Sequence, residues 1–281
     1  MKKFLIKISK ALGIGMIAIT LVTIGADATD HFDNMSESII GHLFFKNDGP
    51  CPANMVFIMD DQDGFCIDEY EVSPSKDCPF INPANQKETR SNLDLKTCRP
   101  VALKEKTPWR FISQTQAQLA CAKAGKRLPT NKEWYLASLG TPDKNEDWNE
   151  DDCQVDNNWE KQPGKTGSAK NCVSSFGVYD MIGNVWEWVS GEVDNGFLNN
   201  KEIPEQGFIS SVSTNGEILE TNKDEADENF NKDFLWSKEK GIRALIRGGY
   251  WDNKSDAGIY SLYASFEPTY VGAGVGFRCV K

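Results

Sequence analysis

Eight cysteines carry most of the reactive chemistry in this sequence, because a thiolate can bind zinc or copper, attack a substrate or pair in a disulfide. No two of them have the C-x-x-C spacing of a zinc site, and both histidines, His31 and His42, precede the whole group. The even number favours disulfides over metal binding, although eight cysteines allow roughly a hundred pairings. The eight are Cys51, Cys66, Cys78, Cys98, Cys121, Cys153, Cys172 and Cys279.

Disulfides form in oxidising compartments, and the first 28 residues have the composition of an export signal. Four lysines up to Lys10 precede an apolar run from Leu12 to Gly25, which is followed by the small-x-small sequence Ala26-Asp27-Ala28. We therefore predict a signal peptide over residues 1–28 and a secreted or cell-envelope protein. The apolar run is shorter than the ~20 residues of a membrane-spanning helix. Contact with a membrane is thus expected only through an uncleaved N-terminal segment.

The charge of the chain restricts its partners. Of its 31 basic and 41 acidic residues, four lysines and Asp27 belong to the predicted signal, so the mature protein would carry 27 basic and 40 acidic residues. A surface with this excess of carboxylates repels phosphate backbones. Nucleic acid is therefore not expected as a partner, and the acidity is typical of a soluble exported protein.

The elements that would hold the cysteines begin after a predicted linker over residues 29–50. The segment from Met55 to Val72 has two apolar runs on either side of a turn, which predicts a β-hairpin. At the other end, Val275, Phe277 and Cys279 alternate with smaller or polar residues. That alternation predicts a last strand that returns to the core.

Two helices are predicted by capping boxes, in which a Ser or Thr is followed three residues later by Gln or Glu. Ser113 with Gln116 begins the first helix, which ends before Gly125. Thr130 with Glu133 begins the second. With strands predicted near both ends of the domain and helices between them, the fold class is predicted to be α+β.

Residues 192–243 differ in composition from the rest of the chain. The segment holds twelve acidic and six basic residues with scattered glycines. Such a composition predicts a long, solvated, partly irregular acidic insertion in the domain.

Three groups of residues carry a resemblance to a known family. They are Ala124–Thr130 with Glu133-Trp134, Gly177–Trp188, and Arg247-Gly248-Gly249 with Gly276–Cys279. In this order and spacing they resemble the formylglycine-generating, sulfatase-modifying factor family. The resemblance covers roughly Met55 to the C-terminus, and it implies a C-type-lectin-like fold of that family's type, with little regular secondary structure, over residues 51–281.

The resemblance also implies a disulfide pairing. Family members commonly link the helix before the Gly-Lys-Arg-Leu-Pro-Thr segment to the terminal strand, which here would join Cys121 to Cys279. The simplest completion pairs the remaining cysteines with their neighbours in sequence. Those pairs are Cys51–Cys66, Cys78–Cys98 and Cys153–Cys172.

The chain lacks the metal ligands of the related enzymes. The generating enzymes oxidise a substrate cysteine with a copper-binding pair of cysteines just after the Arg-Gly-Gly turn, but the stretch Tyr250–Gly258 has no cysteine. A second branch of the superfamily holds iron with histidines, which this domain does not contain. We therefore expect neither copper nor iron. We assign no catalytic residue, because carboxylates such as Glu187 and Asp252 have no recognisable catalytic partner.

The loop from Asp180 to Glu187 is implied by the resemblance to bind calcium. In the family this loop supplies oxygen ligands, which carry over to Asp180, Gly183, Val185 and Glu187. Calcium prefers such hard oxygen donors. The alternative is a tight, buried turn that places the two tryptophans of the motif in the core.

The segment from Tyr250 to Gly274 is dense in aromatic residues interleaved with Ser, Asp, Gly and Asn, a composition typical of binding surfaces. It also resembles the variable region of diversity-generating retroelement target proteins, which are ligand binders on the same scaffold. The candidate contact residues are Tyr250, Trp251, Asp252, Asn253, Asp256, Tyr260, Ser261, Tyr263, Ser265, Phe266 and Tyr270.

The sequence therefore predicts an exported, non-catalytic recognition protein that binds a protein or glycan through its C-terminal aromatic segment. One alternative is an enzyme of the same superfamily that works with a different active site. Another is a structural protein of the cell envelope. The identity of the ligand is not encoded in any pattern of the sequence.

Overall fold

A computed structural model describes residues 50–60, 63–144 and 146–281, and Pro50–Lys281 forms one compact unit. The predicted signal peptide (1–28) and the predicted linker up to residue 49 lie outside the described residues. Within the described ranges, no helix is long and apolar enough to cross a membrane.

Three α-helices are present in the described ranges: α1 (Gln86–Asp94), α2 (Gln114–Lys123) and α3 (Asn131–Ser138). Both predicted capping boxes are confirmed, since the Ser113 and Thr130 side chains accept the backbone N–H three residues on and receive the reciprocal bond. Helix α1 was not predicted from the sequence. Its N-terminus is capped by Asn85, whose side chain accepts the N–H of Glu88.

Thirteen strands occur in the described part of the chain. Nine of them form one sheet, and the other four form two-stranded pairs. The predicted hairpin is confirmed as β1 and β2, which pair antiparallel. The strands are β1 (Met55–Ile58), β2 (Phe65–Asp68), β3 (Ser73–Pro74), β4 (Pro100–Val101), β5 (Trp186–Asp194), β6 (Phe197–Leu198), β7 (Lys201–Glu202), β8 (Gly207–Val212), β9 (Ile218–Asn222), β10 (Phe234–Ser237), β11 (Ile242–Arg247), β12 (Leu262–Ala264) and β13 (Val275–Phe277).

Strand β5 lies at the centre of the large sheet. It pairs antiparallel with β11 and parallel with β13, so the predicted last strand does return to the core. Trp186 and Trp188 point to one side, where they pack with α2 residues such as Ala117, and Val189 packs on the other side with Trp134 of α3. The alternating side chains of a strand thus bury both faces of the sheet.

The segment 192–243, predicted to be a partly irregular acidic insertion, contains strands β6 to β10. Most of its side chains are exposed or half-buried, yet Ile209, Asp233 and Leu235 are fully buried. The insertion joins the main sheet because β10 pairs in parallel with β12, with Leu235 opposite Leu262 and Trp236 opposite Tyr263. It therefore contributes side chains to the same surface as the C-terminal segment.

Four disulfides brace the fold, and all eight cysteines take part in them. The Cys121–Cys279 pair implied by the resemblance is confirmed and ties α2 to the C-terminus. The three pairs of the simplest completion are confirmed as well, and each closes a short loop. The predicted α+β, disulfide-braced fold class is also confirmed. Four disulfides are typical of a protein that folds in an oxidising compartment.

Candidate binding surface

Five half-buried aromatic residues form a continuous patch on one side of the main sheet. They are Trp236, Tyr250, Tyr263, Phe266 and Tyr270, here called the aromatic surface. Each packs against the part of the core that contains Trp186 and Trp188, and each stays partly exposed. The patch therefore combines a rigid base with exposed aromatic area, which is the usual composition of a binding surface.

The rings of the aromatic surface stack on one another in a row. The Trp236 and Tyr263 centroids are 5.6 Å apart, those of Tyr263 and Phe266 are 4.5 Å apart, and those of Phe266 and Tyr270 are 3.6 Å apart with nearly parallel planes. Stacked rings restrict one another's rotation, so little conformational entropy remains to be lost when a ligand binds.

Trp186, in the segment Gly177–Trp188 that resembles the family, lies beneath this row of rings. Trp186 of β5 is 6 % exposed and meets Trp236 and Tyr263 edge-on, at centroid distances of 5.7 and 6.0 Å. Phe234 extends the row on the insertion side, with its centroid 4.9 Å from that of Trp236. Packing against buried Trp186 thus restrains the position and orientation of the Trp236 and Tyr263 rings.

At the other end, the surface continues into the polar stretch after the Arg-Gly-Gly turn. Trp251 lies 5.1 Å from Tyr250, centroid to centroid. Asp252 is exposed and accepts a hydrogen bond from the Asn157 side chain, and Asn253 accepts the backbone N–H of Tyr250 at 3.0 Å. These predicted contact residues lie beside the aromatic surface and are accessible at least in part.

Three predicted contact residues lie elsewhere. The Tyr260 ring packs on the opposite side, against Tyr135 and Phe230. Ser261 is 0 % exposed and Ser265 is 8 % exposed, so neither side chain is available to a large ligand. Alternation along the chain explains Tyr260, which is an odd number of residues from Tyr263 and so faces the other side. The two serines flank β12 and are buried by packing, and the Ser261 hydroxyl donates to the Asp256 carbonyl.

Asp256 lies next to Ser261, whose hydroxyl donates to the Asp256 backbone carbonyl at 2.5 Å. Its carboxyl group is half-buried, and burial raises its pKa above the ordinary value. Of the eleven predicted contacts, the structure brings Tyr250, Tyr263, Phe266 and Tyr270 together. Trp236 is the fifth member, and sequence reasoning missed it.

Trp236 was missed because it lies in the insertion, about 30 residues before the segment to which it packs. A weak signal was present in the alternation Phe234-Leu235-Trp236-Ser237, which places two aromatics on one face of a strand. Only the parallel pairing of β10 with β12 shows that this face adjoins Tyr263.

The hydroxyls of Tyr250 and Tyr263 remain protonated donors over the physiological range. Burial raises the pKa of Tyr263, with a smaller contribution from Tyr270. Burial, followed by the charge of Asp252 and by Tyr270, raises the pKa of Tyr250. Both phenols can therefore donate hydrogen bonds to a ligand.

Beneath the surface, two residues of the segments that resemble the family form a buried ion pair. Glu187 and Arg278 are at most 1 % exposed, and Arg278 Nε and Nη2 donate to the Glu187 carboxylate at 2.6–2.9 Å. The Trp134 indole also donates to Glu187, at 2.7 Å. Both carboxylate oxygens are therefore already engaged, and Glu187 acts here as a structural residue.

This arrangement bears on the predicted calcium loop. With Glu187 bound to Arg278, an ion at the loop would depend on oxygens of Asp180, Gly183 and Val185 together with water. Asp180 already accepts the N–H of Gly167 at 2.6 Å. Over the described ranges, no cluster of three or more His, Cys, Asp or Glu residues is placed to hold a metal ion. Calcium at this loop stays a prediction.

The stretch after the Arg-Gly-Gly turn offers no thiolate for copper, because every cysteine of the chain is in a disulfide. Arg247 of the turn is fully buried and its guanidinium lies 5.0 Å from the Trp134 ring centroid. It donates to backbone carbonyls of residues 259–261. Arg247 of the turn thus has a structural role, because it packs against Trp134 and ties the turn to residues 259–261.

Comparison with known proteins identifies relatives of the domain. A family model described as "Sulfatase-modifying factor enzyme 1-like domain" matches residues 60–281. The chain is 30% identical over 95 residues to the bovine "Inactive C-alpha-formylglycine-generating enzyme 2", covering 29% of this chain and 32% of the relative. It is 33% identical over 84 residues to the "Formylglycine-generating enzyme" of Mycobacterium tuberculosis, covering 25% of this chain and 28% of the relative. The matches thus span about a third of each relative.

Several solved structures are similar in fold. "Treponema denticola variable protein 1" has a TM-score of 0.44 at 14% identity, covering 81% of this chain and 91% of that one. "Major Tropism Determinant M1 Variant" has a TM-score of 0.43 at 15% identity, with 82% and 52% covered. PvdO from Pseudomonas aeruginosa has a TM-score of 0.40 at 16% identity, with 80% and 89% covered. At these identities the likeness concerns the fold alone.

Proposed function

This chain belongs to the sulfatase-modifying factor enzyme 1-like family, and we propose that it is an exported, non-catalytic member that binds a protein or glycan ligand through its aromatic surface. The family's C-type-lectin-like fold supplies the scaffold. The single observation that carries the proposal is the contiguous row of half-exposed stacked rings from Trp236 to Tyr270. Exposed apolar patches on soluble proteins commonly mark interaction sites.

The absence of the copper ligands supports a non-catalytic role. Every thiol of the chain is committed to a disulfide, so cysteine oxidation by a thiolate-bound copper has no ligands here. A relative described as inactive shows that the family includes members without the enzymatic activity. Fold alone does not decide function, so the proposal depends on the site.

Export is supported by two independent features. Four disulfides favour an oxidising compartment, and the first 28 residues have the composition of a signal peptide. Fractionation of the producing cells would test this directly. Recovery of the protein in a reducing cytosol, with free thiols, would contradict it.

Binding is tested with a matched pair of alanine variants on a glycan array and a displayed peptide library. Trp236→Ala removes the ring that bridges the insertion and the C-terminal segment. If Trp236 is a central contact, binding to any retained probe should weaken about thirtyfold or more, the effect of a ~2 kcal/mol hot spot. Leu219→Ala is the control, since Leu219 is 52% exposed on β9 and lies outside the aromatic surface.

Two outcomes would refute the proposal. Equal binding by wild type and Trp236→Ala would show that the aromatic surface is not the contact. Turnover of a cysteine-containing sulfatase peptide by the purified protein with added copper would favour the enzyme alternative instead.

A further inference from the structure

Strand β10, which carries Trp236, is preceded by a fully buried carboxylate, Asp233. Asp233 Oδ2 accepts the backbone N–H of Tyr260 at 2.7 Å and that of Ser261 at 3.2 Å. Ser261 directly precedes β12, and its hydroxyl accepts the N–H of Phe234 at 3.4 Å. Asp233 therefore joins the starts of the two strands that present Trp236 and Tyr263 to the aromatic surface.

A second carboxylate lies beside the first. Asp143 Oδ2 accepts the N–H of Ile259 at 3.3 Å, so the three successive N–H groups of residues 259–261 are divided between two carboxylates. The carbonyls of the same three residues accept from Arg247, at 2.8–3.3 Å. The peptide segment thus separates the guanidinium from the carboxylate pair.

The remaining oxygens of the pair lack partners. Asp143 Oδ1 and Asp233 Oδ1 are both buried and have no hydrogen-bond partner among the residues that the structure describes. The site is also closely packed, because a Cβ at Gly258 would overlap the Asp233 carboxylate. The Asp143 charge acts on Asp233, and two buried carboxylates that repel one another are stabilised when one of them is protonated.

The other ionisable groups that face the pair are few. Arg247 of β11 contributes a positive charge, and Tyr135 of α3 and the Tyr260 phenol lie nearby. Asn231 donates to Asp143 through its side chain, which adds no charge. One cation therefore faces two carboxylates, and ionisation of both leaves an uncompensated buried negative charge.

We propose that Asp143 and Asp233 form a clamp that positions Trp236 against Tyr263, and that the clamp is closed while the pair shares one proton and weakens when both carboxylates are ionised. The inference rests on the proposed function, because it assigns a pH-dependent regulation to the same surface. Asp143 and Asp233 are positioning residues, since they act on the ligand-binding rings through the backbone of β10 and β12.

The direction and size of the effect follow from proton linkage. Burial raises the pKa of Asp143 from 3.8 to about 7, and burial followed by the Asp143 charge raises that of Asp233 well above its ordinary value. A closed state that binds the proton more tightly is favoured at low pH and loses that advantage as pH rises. For one group with these two pKa values, the open-to-closed ratio rises about fiftyfold from pH 5 to 7 and about twofold from pH 7 to 8.

Hydrogen exchange measured by mass spectrometry tests the clamp without any ligand. The peptides followed are residues 230–237 and 259–264, with rates corrected for the intrinsic effect of pH. In the wild type, protection of both should fall about fiftyfold from pH 5 to 7. In Asp143→Asn the fall should be smaller than in the wild type, because the variant lacks the Asp143 carboxyl and its repulsion of Asp233, so that only the effect of burial on Asp233 remains. Asp252→Asn, an exposed acid on the same surface, should keep the wild-type profile.

A purely structural role for the pair would lower protection equally at every pH in Asp143→Asn, and that result would overturn the proposal. An unchanged wild-type protection between pH 5 and 7 would overturn it even if the variant did not fold. Recovery of protection at pH 8 with millimolar calcium would also overturn it, since the pair would then hold a cation. Because no ligand is used, failure here leaves the glycan and peptide binding test unaffected.

Discussion

Replacing Glu187 with glutamine should lower the free energy of unfolding by about 3 to 5 kcal/mol, because it leaves the buried Arg278 charge without its partner. Glutamine keeps the shape of the side chain and an acceptor for the Trp134 indole. It loses the negative charge, and its amide replaces the carboxylate that accepts three hydrogen bonds from the guanidinium at 2.6–2.9 Å. Arg278 is 0% exposed, so water cannot replace them.

The loss should depend on pH, since two further carboxylates lie near Arg278. Burial, then the charges of Asp180 and Glu187, raises the pKa of Glu71 well above its ordinary range, and burial raises that of Asp180 to about 7. In the variant the unpaired guanidinium favours ionisation of both, so their folded pKa values fall. The cost should therefore be near 5 kcal/mol at pH 5 and nearer 3 kcal/mol at pH 8.

Thermal melts followed by circular dichroism measure this loss. For a domain of this size, 1 kcal/mol corresponds to about 2–4 °C, so the midpoint should fall by roughly 6–20 °C. The matched control is Glu133→Gln, which breaks an Arg–Glu pair whose arginine, Arg127, is 54% exposed. That change should cost less than about 1 kcal/mol. Equal shifts for the two variants, or no pH dependence for Glu187→Gln, would refute the reasoning.

Two more predictions concern the disulfides and the predicted calcium loop. Replacing Cys121 and Cys279 with serine opens a loop of 158 residues and should cost about 5 kcal/mol in the chain-entropy model. Opening the 19-residue loop of Cys153–Cys172 should cost about 3 kcal/mol, so equal urea midpoints for the two variants would contradict that account. If the Asp180–Glu187 loop holds calcium, a chelator should lower the melting midpoint. An unchanged midpoint would show that the loop is stable without an ion.

The sequence was most informative where structure depends on nearby residues. A capping box needs only a Ser or Thr and a Gln or Glu three positions apart, and both predicted boxes formed. The family-like segments identified the fold and the Cys121–Cys279 pair, which the structure confirms. Helix α1 was missed although its cap, Asn85, is a common one, because its interior has few apolar residues to indicate a buried face.

The aromatic surface was identified only in part. The density of aromatics after Gly249 pointed to the right segment, but composition does not reveal which side of a strand each residue faces. Tyr260 and Tyr263 are three residues apart and lie on opposite sides of the sheet, in different core clusters. Trp236 joined the surface through a parallel strand pairing, which leaves no local pattern in the sequence.

The sequence by itself determined the family, the starts of α2 and α3 and the number of thiols available for pairing, because these depend on residue type and short spacing. The tertiary structure decided which charges are buried together. Glu187 is paired with Arg278, which is 91 residues away in the sequence. Asp233, which lies in the insertion, accepts the N–H groups of Tyr260 and Ser261. Burial depends on the packing of the whole domain, and burial makes Glu187 a strong partner of Arg278 and raises the pKa of Asp233.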